Sequence, residues 1–182
     1  AFGDIVNAES YYRRAVALDP ALAVAHYQLA VWSRRFGGSL AEQRAAMASA
    51  VRHLDRAPPR EQLLIRAFAA HLDGADGDAI SLFREATERF PEDGRAYYEL
   101  GDVLRHGDEL ALAVPCFERA VALAPHLGWA PGQLAEALGA LGRADELRGF
   151  IARWEATASP VSLHAVAVGR GWLGDAAGAE AA

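Results

Sequence analysis

The 182-residue sequence has no lysine, one cysteine and one methionine, and valine, isoleucine and threonine are sparse beside alanine and leucine. Each scarcity excludes something. With Cys116 alone, no internal disulfide can form, so nothing demands an oxidising compartment; among apolar neighbours it reads as a small core residue. The shortage of β-branched residues argues against sheet, because alanine and leucine lose little rotamer freedom in a helix. No stretch approaches the roughly 20 apolar residues of a membrane span, and Ala1-Phe2-Gly3-Asp4 shows no basic segment followed by an apolar run. A soluble, cytoplasmic chain with no membrane partner is the expectation. All 18 cationic side chains are arginine, a bias typical of GC-rich bacterial genomes, and the formal charge of -6 argues against nucleic acid, whose phosphates call for a basic surface. Apolar residues make up 52% of the chain, enough to bury a core and to argue against disorder.

What the sequence does contain is a repeat. Ala8, Tyr12, Ala15 and Pro20 are spaced by four, three and five residues, and the spacing returns as Ala79, Phe83, Ala86, Pro91 and as Ala113, Phe117, Ala120, Pro125. The last two sets lie 34 residues apart. Nine residues after each proline comes a large apolar residue followed by a small one: Leu29-Ala30, Leu100-Gly101 and Leu134-Ala135. Small residues let two helices approach closely, the aromatic fills the space between them, and proline stops the second helix. Each such unit leaves an apolar face open until a neighbour stacks on it.

This pattern resembles the tetratricopeptide repeat family, whose unit is an antiparallel pair of helices, A and B. The resemblance implies an all-α fold, a right-handed superhelix (α-solenoid) of about four full repeats plus partial repeats at both ends. Read as one repeat domain over 1–182, the chain divides into helix pairs near 22–57, 60–90, 94–124 and 127–157, with partial units at 4–19 and 161–182. Met47, Val51, Leu54 and Pro59 fill the helix-B pattern between the first two clear sets, which gives intervals of 39 and 32 residues. The extra residues then fall in a turn around 36–40 and the missing ones in a tightened turn at 73–78. At the far end Leu147, Ile151, Trp154 and Ser159 occupy the helix-B positions, Trp154 standing where alanine is expected, and Gly174-Asp175-Ala176-Ala177 looks like the opening of another helix B. A chain that begins and ends inside a repeat is expected to be a piece of a larger array.

Chemistry-bearing motifs are scarce. Six histidines, at 26, 53, 71, 106, 126 and 164, show no metal-ligand spacing, so no metal or cofactor is expected. The acidic stretch 73–78 has the wrong spacing for a calcium loop and reads as a turn, with Asp78 capping a helix that starts at Ala79. Phe36-Gly37-Gly38-Ser39 lacks the ending of a phosphate loop. No nucleophile elbow exists and Cys116 has no histidine partner, so the chain is not expected to be an enzyme.

In the family, ligands lie along the concave side of successive A helices. The resemblance transfers a peptide-binding role to Tyr27, Arg34, Arg66, Arg95, Tyr98, Asp102, Arg105, Trp129, Gln133 and Glu136. Arginine and aromatic residues are the types enriched at binding hot spots. Arg34, Arg66, Arg95 and Arg105 would make the earlier part of the groove cationic and suited to an acidic or phosphorylated peptide, whereas Asp102 and Glu136 turn it mixed further along. The expected function is a protein–protein interaction scaffold with a protein or peptide partner. The alternative is a regulatory or self-associating domain of a larger bacterial signalling protein or enzyme, forming homo-oligomers through exposed repeat ends.

Overall fold

A computed structural model describes residues 2–125, 127, 129–157 and 160–174, and every described element is helical. The readings placed on His126, on Ser159 and on 175–177 lie outside the described residues. The chain divides into two compact units, residues 1–86 and 87–182. The first holds α1 (Phe2–Leu18), α2 (Ala23–Arg35), α3 (Leu40–Arg52), a short 3-10 turn at Leu54–Arg56, α4 (Pro59–Leu72) and most of α5 (Asp76–Arg89). The second holds α6 (Gly94–His106), α7 (Leu110–Leu123), α8 (Ala130–Ala140), α9 (Ala144–Glu155) and α10 (Pro160–Trp172).

Within unit 1, α2 packs on α1, α3 and α4; within unit 2, α6 packs on α7, and α8 packs on α7, α9 and α10. Small residues set the distance between paired helices. A Cβ on Gly101 would lie 2.8 Å from the Phe117 ring, and one on Gly94 would lie 2.8 Å from Ala124 Cβ. Ala79, Phe83, Ala86, Ala113, Phe117 and Ala120 are all fully buried, as helix-B core positions should be.

The helix-B register of α3 differs from the one read off the sequence. Gln43, Met47 and Ala50 are buried, whereas Val51 is 44% exposed and Leu54 lies beyond the helix in the 3-10 turn. Met47 therefore holds the aromatic's place, not the first small residue's. Equivalent positions then fall at 8, 43, 79, 113 and 147, at intervals of 35, 36, 34 and 34 residues, in place of the uneven 39 and 32. Pro59 is not the stop of α3 but the first residue of α4, where its missing N–H costs nothing.

The turns from helix A to helix B share one construction. A residue with positive φ follows α2, α4, α6, α8 and α10, namely Gly37, Gly74, Asp108, Gly142 and Gly174. The first four of these turns close with a backbone bond from the N–H of the next residue to the carbonyl five residues earlier: Gly38 to Ser33 at 2.8 Å, and Ala75 to Ala70, Glu109 to Leu104 and Arg143 to Leu138 at 2.9 Å. This is the six-to-one bond of a Schellman turn, which satisfies carbonyls that a helix end leaves open. The helix after 73–75 starts at Asp76 rather than Ala79, so Asp78 sits in its first turn instead of capping it. At α3, Ser39 and Glu42 form a reciprocal capping box. The Glu42 carboxyl is held below the ordinary range by the Ser39 backbone N–H and then by its hydroxyl.

Trp154, in the place of an alanine, is accommodated beside the core rather than in it. Its ring lies 5.8 Å from that of Phe150 and borders a cavity of about 350 Å³ against Val121, Ala122 and Leu134.

Two stability measurements check this description. By urea denaturation, Met47→Ala should cost about 2–4 kcal/mol as a buried truncation, whereas Val51→Ala should stay within about 0.5 kcal/mol; the reverse order would restore the register first read from the sequence. The left-handed turn predicts opposite signs at equivalent places: Gly142→Ala should lose about 1 kcal/mol and Asp108→Gly should gain up to about 1 kcal/mol.

Candidate functional site

The ten residues assigned to ligand binding fall into two sets, one in each unit. In unit 1, Tyr27 on α2 is only 1% exposed, its ring edge-on to Phe68 of α4 at 5.9 Å. Arg34, two turns further along α2, lies over the same Phe68 ring at 5.5 Å from its centroid. Tyr27 is thus a core residue, and Arg34 is engaged with an aromatic face. Arg66 is exposed, but it lies two residues from Phe68, and residues two apart on a helix do not share a face. Phe68, not Arg66, is the α4 residue beside Tyr27 and Arg34, and the His71 ring lies 6.4 Å from that of Phe68. His71 in turn lies 2.6 Å from Asp76 through Nδ1.

Unit 2 brings its residues together more fully. Arg95, Tyr98, Asp102 and Arg105 recur at three- and four-residue steps along α6, which places them on one side of that helix. Tyr98 is 3% exposed and packs against Phe117 at 5.9 Å between ring centroids, so it too belongs to the core. Asp102 is buried and accepts a hydrogen bond from Arg105 Nη2 at 3.0 Å, while its backbone carbonyl accepts from His106 Nδ1 at 3.1 Å. On α8, Trp129 is the N-cap residue and Gln133 and Glu136 are half-buried.

Two acids change the electrostatics of this face. Glu99, absent from the sequence-based set, is 1% exposed and pairs with Arg95 at 3.7 Å, and Asp102 pairs with Arg105. Each arginine is matched by a buried carboxylate, and Glu136 adds another acid on α8. The cationic groove expected from the arginines is therefore charge-balanced in unit 2, and the case for an acidic or phosphorylated ligand falls with it. The signal for the first pair was visible in the sequence, since Arg95 and Glu99 stand four residues apart on one helix.

What the face offers instead is unmet hydrogen bonding. Among the described residues, Arg105 Nε and Gln133 Oε1 are withdrawn from water with no hydrogen-bond partner, a donor on α6 and an acceptor on α8. These two helices pack against each other. Leaving such a group unpaired costs about 1–3 kcal/mol. No three His, Cys, Asp or Glu side chains converge on a metal-sized site among the described residues. No described helix is long and apolar enough to cross a membrane.

The fold and this face define an all-α helical-repeat chain. Residues 77–127, which hold most of α5 with α6 and α7, match the tetratricopeptide repeat family model. A comparison with curated proteins returns no match. Among solved structures, the chain is similar to a Podosopora anserina putative kinesin light chain with nearly identical TPR-like repeats, at 18% identity and TM-score 0.61 over 89% of this chain and 92% of that one. It is also similar to the Pseudomonas aeruginosa protein pilF, at 20% identity and TM-score 0.56 over 98% and 81%. YrrB, described as a TPR protein with an unusual peptide-binding site, matches at 19% identity and TM-score 0.52 over 92% and 86%. Residues 77–127 thus carry a tetratricopeptide repeat, and the chain has the all-α helical-repeat fold of these structures.

The buried acid of the α6 face supplies a test of its electrostatics. Asp102→Ala leaves Arg105 without its partner and should cost about 2–4 kcal/mol in urea denaturation. Asp145→Ala, which breaks the pair with Arg148 at a fully open site, should leave the melting temperature unchanged.

Proposed function

We propose that this chain is a protein-interaction module that holds an extended peptide segment against the α6–α8 face of its second unit. The observation that carries the reading is the unpaired donor of Arg105 and the unpaired acceptor of Gln133 on two helices in contact. A peptide main chain carries both complementary groups in every residue, N–H and C=O, and so can meet both at once. The charge balance of Arg95 with Glu99 and Arg105 with Asp102 favours a ligand read through its main chain over one read through its charge. YrrB, a repeat protein of similar fold described as having an unusual peptide-binding site, supports the same class of ligand.

Selection of a random peptide library on the purified chain, followed by fluorescence polarisation with the enriched sequences, tests the proposal. Arg105→Ala combined with Gln133→Ala should weaken binding by about 10- to 100-fold, at 1.4 kcal/mol per tenfold. Arg148→Ala, at an exposed site on α9, should change nothing. Failure to enrich any peptide, or undiminished affinity in the double variant, overturns the reading.

A further inference from the structure

Where α1, α2 and α3 meet in unit 1, a cavity of about 360 Å³ opens on the side away from the ligand-facing positions of helix A. Volumes in the range of roughly 300–1,000 Å³ are those of small-ligand sites. Its aromatic wall is Trp32 with Phe36, their rings 4.9 Å apart. Charge at its edge comes from Glu9, Arg13 and Glu42. Arg13 donates from Nε to Glu9 Oε1 at 2.6 Å, and Glu42 accepts from the backbone N–H and hydroxyl of Ser39 at 2.8 and 2.9 Å. Two carboxylates thus face one guanidinium. Among the described residues, the indole N–H of Trp32 and the hydroxyl of Ser33 are buried with no hydrogen-bond partner, and both residues line this cavity.

The same helix junction in unit 2 shows which of these features belong to the repeat. A cavity of about 380 Å³ recurs there, with Leu134 in the place of Leu29, Leu138 in that of Ser33 and Glu146 in that of Glu42. The space is a product of the repeat geometry. Two carboxylates and one guanidinium recur there too, as Glu118, Glu146 and Arg153, so the acidic excess also belongs to the repeat; what unit 1 adds is the indole, since Ala137 stands at the position of Trp32. None of the unpaired buried polar atoms among the described residues belongs to the lining of the second cavity.

We propose that the unit 1 cavity receives a basic side chain, arginine or lysine, of a partner polypeptide. The excess of carboxylate over guanidinium favours a cation, and an indole face is the strongest of the aromatic partners for one. The unpaired indole donor calls for an acceptor, which the main-chain carbonyl adjoining a basic side chain carries with it. An acidic side chain would meet Glu9 and Glu42, and a purely apolar one would leave the Trp32 donor unmet. This site lies in the other unit from the α6–α8 face, so the two readings stand or fall separately.

The experiment follows the indole N–H signals of the 15N-labelled full chain, which has four tryptophans, with the Trp32 signal assigned by its loss in Trp32→Phe. The probes are acetyl-Gly-Arg-Gly-amide and acetyl-Gly-Glu-Gly-amide. The arginine peptide should move the Trp32 signal saturably, and the glutamate peptide should not. Glu9→Gln with Glu42→Gln should weaken the effect at least about fivefold while keeping the helix cap, since glutamine serves in the capping box as glutamate does. The proposal is overturned if the Trp32 signal stays still at about 20 mM arginine peptide, a concentration that reveals affinities of only a few kcal/mol. Equal movement with the glutamate peptide, or equal movement of Trp129, Trp154 and Trp172, overturns it as well.

Discussion

The close approach of helix A to helix B in each pair is the constraint on which the other features of this protein rest. Gly101 lies against the ring of Phe117 and Gly94 against Ala124 and Leu123, at distances where a methyl group would collide. A helix that near its partner cannot tolerate bulk at the contact, so small residues recur at fixed steps and a large ring fills what they leave. The short distance also sets the turn. To reverse direction between helices this close, the chain uses a Schellman turn with one left-handed residue, and Gly37, Gly74 and Gly142 meet that demand with no steric cost. Asp108 meets it as a non-glycine residue, one of the few types that visits this region.

That contact is also why so much of the fold was legible. The four-and-three spacing of small, large and small residues is a direct projection of the helix interface onto the sequence, and Ala79 to Ala86 and Ala113 to Ala120 are buried as that spacing implies. The prolines were a less faithful guide because proline suits two opposite places. Pro20, Pro91 and Pro125 follow helix ends, but Pro59 and Pro160 begin helices. Taking Pro59 as a stop moved the reading of α3 by four residues, one helical turn, and so exchanged Val51 for Met47 at the core. Since four residues restore nearly the same face, the apolar pattern alone did not expose the slip; burial did.

The candidate site was less legible for a related reason. A position that faces the inner side of helix A in a repeat is open to a ligand only if neighbouring helices leave it open. At Tyr27 and Tyr98 the aromatic rings find Phe68 and Phe117 and are covered. Sequence places the arginines and the acids on one face but does not say how deeply each acid is buried or which arginine it pairs with. Glu99 and Asp102 sit within one turn of Arg95 and Arg105 and are more deeply buried than either, so they cancel much of the field that the arginines would project. Arg66 shows the same limit from the other side: in an irregular repeat, an offset of two residues is enough to turn a side chain to the opposite face.

Burying Glu99 and Asp102 is costly unless each is paired, and each is. A surface module with no need of specificity could have placed apolar residues there, as the repeat does at Leu100, Val103 and Leu104 on the same helix. Retaining two ion pairs along one side of α6 restrains the rotamers of Arg95 and Arg105, because a guanidinium tied to a buried carboxylate loses its freedom to swing. A donor held in place loses less entropy on meeting a ligand than one on a mobile side chain. The unpaired Nε of Arg105 is such a donor, its Nη2 already tied to Asp102. The acid that balances the charge of Arg105 is therefore the same group that holds its Nε in place, so that a face poor in net charge still keeps a fixed hydrogen-bond donor.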